Sequence, residues 1–149
     1  MRYLGLDLGT KTIGVALSDE TGSMAMPLYT LRRTGISRDM AELAALMEER
    51  EVGGVVIGLP VNMDGSKGER AAQTELFAQK LGQALSQRHG RMKTLPVVFW
   101  DERLSTVAVT RVMLSGDVSR AKRKQAVDKM AAAYILQGYL DSRKNSSKD

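Results

Sequence analysis

The feature that most constrains the fold is a change of hydrophobic period after Leu31. Before it, the chain alternates as half-buried strands do. Residues 3–8 form a short, largely apolar run that Gly9-Thr10-Lys11 punctuates. Ile13, Val15 and Leu17 then alternate with Gly14, Ala16 and Ser18, a period of two. Asp19-Glu20-Thr21-Gly22-Ser23 carries turn chemistry. A third strand is expected over residues 24–31, with Pro27 marking an edge or a bulge. Three strands joined by short turns predict an antiparallel meander.

Beyond that point helices and strands alternate. Ser37 can cap a helix in which Met40, Leu43, Ala44 and Met47 recur at helical spacing. Residues 52–59 are an apolar run with the character of a strand buried on both faces. A Gly-rich loop over 60–68 leads to a helix over about 69–88, with Ala72, Leu76, Phe77, Leu81, Ala84 and Leu85 inward. Residues 95–100 form the next strand. A helix opens at Ser105 or Thr106 and runs to Leu114. The last spans about 119–140, with Val127, Met130, Ala131, Tyr134 and Ile135 as its inner stripe. The two strand–helix–strand crossovers predict parallel neighbours. The expectation is an α/β domain with a ribonuclease H-like fold: a five-stranded mixed sheet, three antiparallel strands then two parallel, flanked by helices. It occupies residues 1–141. Residues 142–149 have little apolar to bury and are expected to be a disordered tail.

Composition narrows the chemistry. The 149 residues include no cysteine and one histidine, which removes thiolate catalysis and thiolate zinc sites. The opening residues lack the long apolar stretch of a signal peptide, and no run approaches the length of a membrane span. A cytoplasmic protein without a membrane partner is expected. The net charge of +5 suits a polyanionic partner such as nucleic acid.

Asp7 closes the first strand, and Asp101 and Glu102 close the last. Ligands in such sheets bind outside the carboxyl ends of parallel strands. Asp128 lies on the final helix, within a turn of its inner stripe, where packing on the sheet brings it to the same rim. Neighbours on a strand face opposite ways, so Asp101 and Glu102 cannot both point inward. Glu102, with the longer reach, is favoured. Three convergent carboxylates repel one another, and a hard cation, Mg²⁺ or Mn²⁺, relieves this with oxygen ligands. Two such ions can activate water and stabilise the leaving oxygen of a phosphodiester. Around the acids stand candidate contacts for a nucleic-acid backbone. Arg120, Lys122, Arg123 and Lys124 open the last helix, against the helix dipole, and Lys11 and Arg103 lie near the acids.

Four stretches together resemble the YqgF family, also called RuvX, relatives of the RuvC resolvases. They are Leu6-Asp7-Leu8-Gly9-Thr10-Lys11 with Gly14-Val15-Ala16; Gly58-Leu59-Pro60 with Asn62-Met63-Asp64-Gly65; Asp101-Glu102-Arg103-Leu104-Ser105-Thr106; and Asp128 with Ala131-Ala132 and Ile135-Leu136-Gln137. The resemblance implies a nuclease in 5′-end maturation of precursor 16S rRNA, with Holliday-junction resolution as the alternative. It assigns the acidic site to Asp7, Glu102 and Asp128. The RuvC enzyme carries a glutamate at the end of its fourth strand. Here that end reads Gly58-Leu59-Pro60, so the second carboxylate is expected from Glu102 on the next strand.

The partner is then structured RNA or branched DNA, and the protein a monomer or homodimer, two-fold symmetry suiting paired cleavage. Two other classes compete. Asp7-Leu8-Gly9-Thr10-Lys11 also resembles the first phosphate motif of actin-like ATPases, which need two such domains. A non-catalytic RNA-binding module would keep the fold without the chemistry.

Overall fold

In a computed structural model, which describes residues 1–105 and 120–146, five strands form one sheet in the order β3-β2-β1-β4-β5. The strands are β1 (Arg2–Leu8), β2 (Thr12–Ser18), β3 (Ala25–Arg32), β4 (Val52–Leu59) and β5 (Val97–Asp101). β1 pairs antiparallel with β2, and β2 with β3. β4 and β5 extend the sheet in parallel on the other side of β1. This is the ribonuclease H-like arrangement expected from the change of period. Pro27 sits on edge strand β3 beside a register shift between Val15 and Ala16, where a missing N–H costs no ladder bond.

Three helices cover the sheet: α1 (Ile36–Glu49), α2 (Glu69–Ser86) and α3 (Arg120–Ser146). On one face, Leu4, Leu6, Ile13, Val15, Val55 and Ile57 meet Met40, Leu43 and Met47 of α1 and Phe77, Leu81 and Leu85 of α2. Burying each such side chain contributes about 1.5–3 kcal/mol, so this layer carries most of the stability. The alternate strand residues face α3, which crosses all five strands with Ala131, Ala132, Ile135, Leu136 and Leu140 inward.

Several details differ from expectation. Leu76 is 51% exposed, because α2 turns Ala71, Thr74 and Ala78 inward instead. Tyr134 also faces outward; Ala132 and Leu136 take its place in the stripe. β5 begins two residues late, after a 3₁₀ turn over Gly90–Thr94. α3 continues to Ser146, past the expected boundary at residue 141, and Arg143 stacks its guanidinium over the rings of Tyr3 and Tyr139, at 5.0 and 5.9 Å. That cation–π contact recruits a stretch with little apolar surface of its own. Residues 147–149 lie outside the described residues, as does the expected helix to Leu114 beyond Ser105. No helix among the described residues is long and apolar enough to cross a membrane.

Candidate active site

α3 approaches the sheet closely because the residues beneath it are small. A Cβ on Gly5 would lie 2.7 Å from Cβ of Leu136, and one on Gly14 would overlap the carbonyl oxygen of Asp128. One on Gly58 would collide with Ile135. The helix therefore rests on main chain at three adjacent strands.

The acids occupy the same face. Asp7 alternates with Leu6 and Leu8, which enter the opposite core, so its carboxylate turns toward α3, where it is 4% exposed. In the sheet its neighbour on β2 is Gly14. On the other side, the register that sets Leu6 beside Ile57 brings Asp7 level with Gly58 on β4. Asp7 thus lies in a row between two residues without side chains. Each vacant place is taken by a carboxylate-bearing residue from elsewhere. Asp128 sits over Gly14 through its own backbone. Glu102 reaches back so that its Oε1 lies 3.1 Å from where a Gly58 Cβ would stand. The strand end that lacks an acid receives one from the next strand.

Asp7 on β1 thus has the backbone of Asp128 over Gly14 of β2 on one side and the Glu102 carboxylate over Gly58 of β4 on the other. The three carboxylates do not meet at one point as they stand. Among the described residues, no three Asp, Glu, His or Cys side chains are close enough to form a ligand cluster. Like charges repel, and Asp128 is drawn aside by Thr12, whose hydroxyl donates to its Oδ2 at 2.5 Å. The donor set itself, three hard carboxylates, fits a divalent cation in its chemistry.

Asp101 faces the other way. Its carboxylate accepts three contacts from the Arg103 side chain, from Nη2 at 2.7 Å and from Nε at 3.1 Å to each oxygen. That guanidinium holds the carboxyl below the ordinary carboxylate range. Lys11 is exposed on the turn that follows β1, at the carboxyl rim. Arg120, Arg123 and Lys124 fall on the opening turns of α3, and their side chains lie outside the described residues. Gln137 serves the fold: it accepts from the N–H of Ala25 at 2.8 Å and donates to the carbonyl of Ser23, tying α3 to the edge strand. Sequence reasoning passed over Thr12, since a hydroxyl opening a strand carries no signal of a partner more than a hundred residues away.

Fold and site define a class, a ribonuclease H-like α/β domain with a row of carboxylates at the carboxyl edge of its sheet. Within that class the chain belongs to the RuvX family, whose model, described as "RuvX: Holliday junction resolvase", matches residues 1–142. It is similar to a protein of Myxococcus xanthus named "Putative pre-16S rRNA nuclease", 51% identical over 149 residues, covering 100% of this chain and 93% of the relative. A Rhodobacter capsulatus protein of the same name is 53% identical over 137 residues, 92% of this chain and 81% of the relative. Among solved structures, Thermus thermophilus RuvC in complex with a Holliday junction substrate superposes with a TM-score of 0.62 at 14% identity, covering 97% of this chain and 96% of that one. At that identity the likeness concerns the fold.

Proposed function

We propose that this protein is a metal-dependent nuclease that hydrolyses phosphodiester bonds in structured RNA, acting in maturation of precursor 16S rRNA. The observation that carries this reading is the row: Asp7 between Gly14 and Gly58, with Asp128 and Glu102 set over those two glycines. The names of its relatives supply the substrate class.

Asp7, Glu102 and Asp128 would hold Mg²⁺ or Mn²⁺, which supplies a water activated at neutral pH and charge stabilisation at the leaving oxygen. Asp7, buried and central, anchors the arrangement. With the cation bound, Glu102 and Asp128 would close on it from either side, and Thr12 donates to Asp128. Lys11, together with Arg120, Arg123 and Lys124, would hold the backbone of the nucleic acid by charge. Replacing Arg123 and Lys124 should weaken binding and flatten its salt dependence. A second reading, Holliday-junction resolution, rests on the family model's own description.

The test compares wild type with Asp7→Asn on a structured precursor RNA and on a four-way DNA junction, each with Mg²⁺ or Mn²⁺. Wild type should cut the RNA in preference to the junction, and Asp7→Asn should cut neither while retaining fold and affinity. Full cleavage by Asp7→Asn would end the carboxylate proposal. Preferred cleavage of the junction would move the reading to resolvase. Equal inactivity of both proteins would leave a binding module.

A further inference from the structure

Between β4 and α2 the chain makes a tight loop over residues 60–68 that bonds largely to itself. The N–H of Asn62 donates to the carbonyl of Ser66 at 3.0 Å, and that of Gly65 to the carbonyl of Asn62 at 2.9 Å. The N–H and hydroxyl of Ser66 both donate to Asp64 Oδ1. Gly65 adopts a φ of +89°, a conformation that favours glycine. Such a loop is stiff within itself, but its attitude to the sheet must be set by something outside it.

Arg103 reaches it from the end of β5. Its Nη1 points at the carbonyls of Met63 and Asn62, at 3.4 and 3.5 Å, while Nε and Nη2 grip Asp101. Its own N–H donates to Asp101 Oδ1 at 2.9 Å, closing the 3₁₀ turn Glu102–Leu104. One side chain therefore joins three things: the end of β5, the turn that carries Glu102, and the loop that leaves β4 just past Gly58. All three guanidinium nitrogens are directed at acceptors within the protein, an arrangement that uses the rigid fork of arginine.

The geometry points to Arg103 as a positioning residue that pins the 60–68 loop to the end of β5 and thereby aims Glu102 along the carboxylate row, a role distinct from contact with a phosphate. The inference rests on the nuclease reading above. Its consequence is that loss of the clamp should misplace Glu102 and the loop without removing any charge that meets the substrate.

The experiment measures cleavage kinetics, the salt dependence of RNA binding, and amide hydrogen exchange over residues 61–67 in wild type, Arg103→Ala, Arg103→Lys, Asp101→Ala and the double alanine variant. Each single alanine variant should speed exchange in the loop and lower kcat about 10- to 100-fold, the scale of a misplaced reacting group. KM and the salt slope should stay near wild type. Lysine should fail to restore kcat, lacking the fork, and the double variant should be no worse than either single, because both break one unit. Wild-type kcat in Arg103→Ala, full rescue by lysine, or a shallower salt slope with kcat preserved would each overturn the proposal, the last by making Arg103 a backbone contact. If wild type itself cleaves no RNA, the nuclease reading fails instead, and unchanged loop exchange in the variants would then overturn the clamp on its own.

Discussion

The two faces of the sheet are built from the same strands by opposite rules. Leu4, Leu6, Val55 and Ile57 are large and point toward α1 and α2. Gly5, Asp7 and Gly58, interleaved with them, face α3. The first face gains stability from apolar area. The second gives up area so that a helix can approach the main chain, and it spends that closeness on the position of Asp128. Stability and site geometry are thus assigned to alternate residues of one strand, and a substitution on one face should leave the function of the other intact.

The largest stability effect should come from Leu81→Ala, which empties a fully buried place in the α1/α2 layer. It should cost about 2–5 kcal/mol by chemical denaturation, with kcat per folded molecule near wild type; a parallel loss of kcat would erase the division between faces. Gly14→Ala adds one methyl on the other face, where it overlaps the backbone of Asp128. Overpacking of this kind costs about 1–3 kcal/mol, yet activity should collapse, because the helix must move away from Asp7. Retained activity at reduced stability would show that the spacing is not critical. Thr12→Val removes the donor to Asp128 and should cost about 1 kcal/mol with a several-fold drop in kcat, while Thr12→Ser keeps the hydroxyl and should stay near wild type. The smallest effect concerns pH. Arg103 depresses the pKa of Asp101 in the folded state, so the pair's contribution is present above the unfolded value, about 4, and is lost as pH falls through the lower folded value. Acid unfolding of wild type and Asp101→Asn should therefore differ at neutral pH and converge as pH falls below about 4; a difference that persists in strong acid would contradict the assignment.

Much of this was legible in residue order. The alternation of Ile13, Val15 and Leu17 and the apolar run over Val52–Leu59 suffice to place β2 and β4, and the crossovers follow from their spacing. Strand parity limits Asp101 and Glu102 to opposite faces, and Asp101 is the one bound to Arg103. What stayed hidden was lateral. A period shows which face a residue takes but not which residue stands beside it on the next strand, so the placement of Gly14 and Gly58 on either side of Asp7 was out of reach. Leu76 misled for a related reason: a helical stripe has width, and the packed helix buries Ala71 and Ala78 in its place. The contacts of Arg103 were equally obscured, since its partners at Asn62 and Met63 lie about forty residues away.

The contact of Gly14 with the Asp128 carbonyl has one more implication. A carboxylate held by side-chain packing can drift as neighbouring residues change. Here the stop is peptide against peptide, a fixed gauge that no side chain on the helix can lengthen or shorten. Randomised libraries should therefore show sharp intolerance at position 14 and broad freedom at outward positions such as Tyr134.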